Sequence, residues 1–189
     1  MAISHMLNIE QDSDELHDLY GEADYYWYLR SDEFANAFLK PIAGYVEQYG
    51  KSCLDVGCGE GRLWDYLTDA DYLGFDGSMT AIARGWRRRL ICPIQVGRFE
   101  DPPINGRSFD VIVLNGILEV LIKPEFRVPF IQHYAKQYHS SHLVVCDLER
   151  LDESELQTHF TLLESGHREA VGIELESVKR FRKISVYQL

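Results

Sequence analysis

Long apolar runs are missing from this chain of 189 residues. None approaches the roughly 20 residues that a bilayer-spanning helix needs, so no membrane partner is expected. The first residues have neither the basic start nor the apolar stretch of a secretory signal. Met1–Met6 reads either as native sequence or as an expression scar before a start at Met6. Cysteine is sparse, at four residues, with no CxxC pair and no histidines at zinc-ligand spacing. Neither a metal site nor a disulfide framework is therefore expected. Cys53 and Cys146 lie inside apolar runs, where cysteine acts as a small hydrophobe. A reduced, cytoplasmic protein is the simplest expectation. Positive charge is scarce too: 19 Lys and Arg against 30 Asp and Glu leave a net charge of −11. Residues 1–50 alone hold ten acids against two bases. Nucleic-acid binding draws on a basic footprint that releases counterions, so a nucleic-acid partner is not expected. One basic cluster stands apart, Arg84 with Arg87–Arg89 at helical spacing. It reads as a solvated helix face, with RNA or an anionic substrate as the alternative.

What remains is an ordinary globular composition, 46% hydrophobic and 26% charged, long enough for one substantial core. Internal repeats and low-complexity tracts are absent. Residues 1–50 read as a helical amino-terminal segment or cap, and 51–189 as the main domain. Ser31 is placed to cap a helix whose first turn holds Asp32 and Glu33. Phe34, Phe38, Ile42, Tyr45, Val46 and Tyr49 follow at helical spacing, and Pro41 within them marks a kink or a restart. From residue 52 short apolar strands alternate with helices. The strands are expected at Ser52–Val56, Tyr72–Phe75, Pro93–Val96, Phe109–Leu114 and His142–Cys146. Helices are expected over Arg62–Thr68, from Ser78 to Arg89, from Pro129 to Tyr138, and over Asp152–Leu163 with Asp152 as cap. Val171–Leu175 and Lys183–Leu189 alternate as a closing hairpin. The pattern predicts an α/β, doubly wound, mostly parallel seven-stranded sheet with an antiparallel edge hairpin. Ligands of such sheets bind at the carboxyl ends of the strands.

The chemistry concentrates at Leu54–Gly61, Leu-Asp-Val-Gly-Cys-Gly-Glu-Gly, where the first strand turns toward a helix. Gly57, Gly59 and Gly61 permit positive φ and close approach to the main chain. Glycines alone do not choose a ligand. Pyrophosphate at such a turn meets N–H groups and the positive end of a helix, and the Asp55 and Glu60 carboxylates would repel it. Arg62 also stands where a dinucleotide fingerprint has its third glycine. A ligand with an ammonium and a sulfonium suits these carboxylates better. Asp76 ends the second strand 17 residues after Gly59, where a carboxylate can accept ribose hydroxyls. Read alone, it is more readily a turn residue before Gly77; joined to the loop, the binding reading prevails. Met79 is placed to pack on an adenine face or, alternatively, in the core.

Leu54–Gly61 resembles motif I of class I S-adenosylmethionine-dependent methyltransferases, and Gly74-Phe75-Asp76-Gly77-Ser78 resembles motif II with its ribose-binding acid. Val96–Asp101 lies where the adenine-edge motif belongs, and Phe109–Leu121 resembles the strand 4 motif. The likeness covers about residues 50–147 in order. It implies a Rossmann-like methyltransferase fold with S-adenosyl-L-methionine as cofactor. It also implies a binding set of Asp55, Gly57, Cys58, Gly59, Gly61, Asp76, Gly77, Met79, Phe99, Glu100 and Asn115. Two departures stand out. The adenine-edge segment reads Gly97-Arg98-Phe99-Glu100, which leaves Glu100 or a backbone carbonyl to accept the adenine amino group. Gly116 occupies a position where many relatives carry histidine.

On the acceptor side, Asn115 and Glu119 follow the fourth strand, and Asp147 and Glu149 the fifth. Tyr20, Tyr25, Tyr26, Trp27 and Tyr28 form an aromatic run that either packs a helix or closes over a sulfonium by cation–π attraction. Tyr26 and Glu119 are the candidate catalytic residues; His133 and His139 read as surface groups. The Asn-Pro-Pro-Tyr signature of amino methyltransferases is replaced by Leu114-Asn115-Gly116-Ile117. Together these features predict methyl transfer to oxygen or nitrogen of a small-molecule acceptor by a monomer or homodimer. The alternatives are an RNA or protein methyltransferase and a non-catalytic cofactor-binding module.

Overall fold

The computed structural model describes residues 3–7, 30–104, 106–118, 121–148, 151–169 and 181–189. Tyr26, Glu119, Glu149, Val171–Leu175 and the rest of the aromatic run lie outside these residues. The described chain opens with a short 3-10 turn, Ile3–Met6, whose neighbour Leu7 bridges Ile122. Ser31 then caps α1 (Asp32–Phe34), its hydroxyl accepting the Phe34 N–H at 3.0 Å. A π-helical turn, Ala35–Leu39, leads without a break into α2 (Lys40–Tyr49). Pro41 explains that turn. Its ring would collide with the carbonyl one helical turn back, and widening the preceding turn relieves the clash. The expected kink is thus a π-helical turn inside one continuous helix.

The sheet consists of β1 (Ser52–Val56), β2 (Asp71–Asp76), β3 (Ile94–Val96), β4 (Val111–Asn115), β5 (His142–Leu148), β6 (Thr161–Glu169) and β7 (Phe181–Gln188). Their order is β3-β2-β1-β4-β5-β7-β6; the first five are parallel, and β7 runs antiparallel to both β5 and β6. The doubly wound seven-stranded sheet with an antiparallel edge pair is as expected. The connections include α3 (Met79–Arg88), α4 (Arg127–Tyr138) and α5 (Ser154–His159). Ser78 caps α3 through a hydrogen bond from Ala81 N–H.

Side chains alternate between two cores along each central strand. Ile112, Leu114, Leu143 and Val145 join Phe75, Phe130, Tyr134 and Tyr138 on the α4 side. Val111, Val113, Val144 and Cys146 join Phe34, Phe38, Ile42 and Val46 on the α2 side. Both faces of the parallel strands are covered, which is why their sequence reads as nearly continuous apolar residues.

Two expected elements differ. Arg62–Thr68 forms a 3-10 turn limited to Arg62–Tyr66. The helix expected through Leu163 stops at His159, and Thr161–Glu169 is a strand instead. That strand pairs along β7, and its Glu164 accepts hydrogen bonds from Gln48 and Tyr49 at the end of α2. Leu162 and Leu163 remain partly exposed, at 37% each. An edge strand with so little burial has no strong period-2 pattern, and the pairing with β7 decides its conformation. The N-cap of α5 is Glu153 rather than the expected Asp152, which stands one residue earlier and accepts the Ser154 N–H at 2.9 Å.

Candidate functional site

Strand order reverses at β1. The chain runs outward through β2 and β3, then crosses to β4 and β5 on the other side. Ligands of open α/β sheets bind in the crevice outside the carboxyl ends at this point. Register places the expected residues there: Val56 is level with Phe75 on one side and Leu114 on the other. Gly57, Asp76 and Asn115 therefore stand one residue further along three adjacent strands. Gly97 joins them, since its N–H donates to the Asp76 carbonyl at 3.0 Å.

The loop turns as its glycines demand. Gly57, Gly59 and Gly61 have φ of 70°, 56° and 67°, the left-handed region. Gly57 and Cys58 both donate their N–H to the Phe75 carbonyl, which ties the loop to β2. Two of the glycines also answer to packing. A Cβ at Gly57 would lie 2.3 Å from Ile117 Cδ1, and one at Gly61 2.6 Å from Ile94 Cγ2. Gly61 thus faces β3 rather than the crevice.

Asp76 fastens the loop from below. Its Oδ2 accepts the Gly59 N–H at 2.8 Å and its Oδ1 the Ser78 N–H at 2.7 Å. Burial raises its pKa, and these two backbone donors oppose that rise. The turn-residue and binding readings of Asp76 are therefore not exclusive: one carboxylate shapes the loop and borders the crevice. Asp55 has a different setting. It points into the α2-side layer, where Tyr72 Oη donates to it at 2.8 Å, and burial pushes its pKa up to about 7. Asp55 thus holds less of the negative charge near pH 7 than an exposed carboxylate would. The Cys58 side chain packs against Gly74, and burial pushes its thiol well up.

Glu60 places a buried carboxylate in the loop, with Arg30 as its ion-pair partner. It is 6% exposed, and its carboxylate oxygens take no hydrogen bond among the described residues; Arg30 Nε approaches at 3.9 Å. A buried carboxylate beside a glycine loop fits a ligand with cationic groups and opposes a phosphorylated one. Met79 is 55% exposed at the start of α3, so the core alternative for it does not hold. Gly77 and Glu100 are exposed as well, and a Cβ at Gly77 would meet only the Gly97 carbonyl, at 3.9 Å. Phe99, in contrast, is a core residue: its ring packs on Phe75 and Phe130, and its carbonyl accepts from Tyr134 Oη at 2.8 Å.

Three participants were not singled out from sequence. Tyr72 pairs with Asp55, Ser78 offers its N–H to Asp76, and Arg182 reaches Asn115 from β7. The first two lie in recognised strand and loop segments. Arg182 is 67 residues from its partner, with no local signal connecting them. The Arg84–Arg89 cluster is partly engaged within the protein. Arg88 and Arg89 pair with Asp65, and Arg89 lies 5.2 Å over the Trp64 ring. Among the described residues no group of three or more His, Cys, Asp or Glu could hold a metal ion, and no helix is long and apolar enough to cross a membrane.

A family model described as a methyltransferase domain matches residues 54–129. No curated protein matches the sequence. Solved structures match almost end to end at low identity. The N-methyltransferase NodS from Bradyrhizobium japonicum WM9, in complex with S-adenosyl-L-homocysteine, superposes with a TM-score of 0.68 at 16% identity, over 93% of this chain and 97% of that one. The 1,6-didemethyltoxoflavin-N1-methyltransferase of Burkholderia thailandensis gives 0.65 at 16% identity, over 94% and 87%. The magnesium protoporphyrin IX methyltransferase of Synechocystis PCC 6803 gives 0.64 at 14%, over 94% and 97%. The glycine loop, its Asp76 anchor and the strand 4 segment thus meet at one switch point, inside the segment that the methyltransferase-domain model matches and on a fold shared with solved methyltransferases.

Proposed function

We propose that this enzyme transfers a methyl group to an oxygen or nitrogen of a small acceptor bound beyond the carboxyl ends of β4 and β5. The observation behind this reading is the convergence of the Gly57–Gly61 loop, Asp76 and Asn115 on adjacent strands. S-adenosylmethionine supplies a methyl group on a sulfonium, a leaving group that needs no protonation. In this reading the loop backbone, Asp76, Gly77 and Met79 hold the adenosyl part, with Asp76 on the ribose hydroxyls and Glu100 or a nearby carbonyl at the adenine edge. Glu60 supplies negative charge beside the amino acid part. The protein then has chiefly to align the acceptor atom with the methyl, and such orientation lowers barriers by several kcal/mol. A general base is required only where the acceptor arrives protonated with a high pKa. The 1–50 segment is read as the cap of the acceptor side; α1 and α2 within it cover one sheet face. Neighbours named as methyltransferases of magnesium protoporphyrin IX and 1,6-didemethyltoxoflavin support a small acceptor.

The test is incubation of the protein and methyl-labelled S-adenosylmethionine with a fractionated metabolite extract. Label in a small organic product is expected. Tight S-adenosylhomocysteine binding with no labelled product from any extract would establish a non-catalytic module instead. Salt-sensitive binding of RNA, with label entering it, would overturn the small-acceptor assignment.

A further inference from the structure

Arg182 lies at the start of β7, and its register partner Leu148 places it at the carboxyl end of β5. Cys146, two residues before Leu148, is level with Asn115 on the opposite side of β5. From this position the guanidinium reaches across to β4, where Nη1 donates to Asn115 Oδ1 at 3.0 Å. Its central carbon lies 5.3 Å from the Phe34 ring centre and 5.6 Å from that of Phe38. The side chain is 5% exposed. Two aromatic faces and an amide oxygen therefore fix its direction at the switch-point end of the sheet.

Gly116 supplies an independent observation. Its φ is 75°, and its N–H donates to the Cys146 carbonyl at 2.8 Å. Among the described residues, its two chain neighbours apart, a Cβ built on Gly116 would meet a single atom within 4 Å, Arg182 Nη1 at 3.3 Å. Just past the end of β4, a fixed guanidinium nitrogen thus borders the side of Gly116 that a side chain would occupy. A guanidinium held in one orientation matches the planar oxygens of a carboxylate, and the pair is directional as well as charged.

We propose that Arg182 determines acceptor specificity, and that the acceptor is a small molecule bearing a carboxylate, which docks over Gly116 against Arg182 Nη1. This rests on the methyltransferase reading and adds the acceptor's chemical class to it. The same chain would then meet the cationic cofactor with carboxylates around β1 and β2, and the anionic acceptor with an arginine beyond β4.

Acetate is the probe, with acetamide as its neutral counterpart. The full chain, labelled with nitrogen-15, is titrated with each, both free and saturated with S-adenosylhomocysteine, while the Gly116 amide and Arg182 Nε signals are followed. Acetate should shift both signals saturably and acetamide should not. Arg182→Met should abolish the acetate response, and Arg182→Lys should retain a weakened one. An acetate response that is absent, matched by acetamide, or preserved in Arg182→Met overturns the proposal. The wild-type comparison decides alone should Arg182→Met not fold. Failure of S-adenosylhomocysteine to bind the wild type would overturn the methyltransferase reading, and the acetate response of the free protein keeps that failure separate.

Discussion

Asp55 and Asp76 are buried carboxylates at the ends of neighbouring strands, and their partners separate their roles. Asp76 is met by two backbone donors of the loops it borders, whereas Asp55 is met by one phenol inside the α2-side layer. Asp76→Ala removes the acceptor for Gly59 and Ser78 and, in the proposed complex, for ribose. S-adenosylhomocysteine binding by calorimetry should weaken by at least ~1.4 kcal/mol, within the range for losing a hydrogen bond to a charged group. Unchanged affinity would remove Asp76 from the binding set. Asp55 offers a pH signature. Its folded-state pKa of about 7 lies above the ordinary carboxylate value, so the folded protein binds the extra proton between about pH 4 and 7. Stability contributed by this group is present below that window and is lost as pH rises through it. Urea unfolding of Asp55→Asn and wild type across these pH values should show the variant gaining relative stability as pH rises. A constant difference would contradict the raised pKa.

At the scale of elements, the carboxyl-terminal hairpin is fastened by one acid. Glu153, just before α5, is 3% exposed, and its Oε2 accepts from Lys183 Nζ at 2.6 Å and from Ser185 Oγ and Tyr187 Oη at 2.8 Å each. The three donors stand at alternate positions of β7, so one face of the strand meets one carboxylate. Glu153→Ala leaves Lys183 and two hydroxyls without their shared acceptor. Losing one partner of a buried ion pair costs about 3–5 kcal/mol, and chemical denaturation should show a loss of this order. A loss below about 1 kcal/mol would mean that water replaces Glu153. The same hairpin sets Arg182 at the end of β5, so this variant should also disturb the environment of Asn115.

For the whole molecule, the acidic surroundings of the loop favour one class of nucleoside ligand over another. A ligand that binds only the folded state, at 100 times its Kd, stabilises by about 2.7 kcal/mol. S-adenosylhomocysteine should therefore raise the thermal midpoint by several degrees, and NAD at equal concentration should leave it in place. Equal shifts from both would undo the charge argument around Glu60.

Much of this protein was settled locally. Ser31 and Ser78 cap helices because a hydroxyl before a helix satisfies an N–H whatever surrounds it. The central strands follow from apolar runs too short for helices, and the glycine loop follows from three residues that alone adopt its φ values freely. The likeness of residues 54–121 to methyltransferase motifs held for the same reason: each motif is a strand end with its own turn. Long-range pairing lay beyond such reasoning. Thr161–Glu169 has no burial pattern of its own and became a strand by pairing with β7. Sequence alone sets the Asp55 charge beside the ligand, whereas in the fold its carboxylate accepts from Tyr72 on the neighbouring strand. Arg182 is remote in sequence from Asn115, and the antiparallel return of β7 brings them together. The sequence by itself determined the loop, its cofactor class and the alternation of elements, because those depend on neighbours along the chain. The tertiary structure alone decided which charges face inward and which arginine stands beside Gly116, because those depend on how distant strands align.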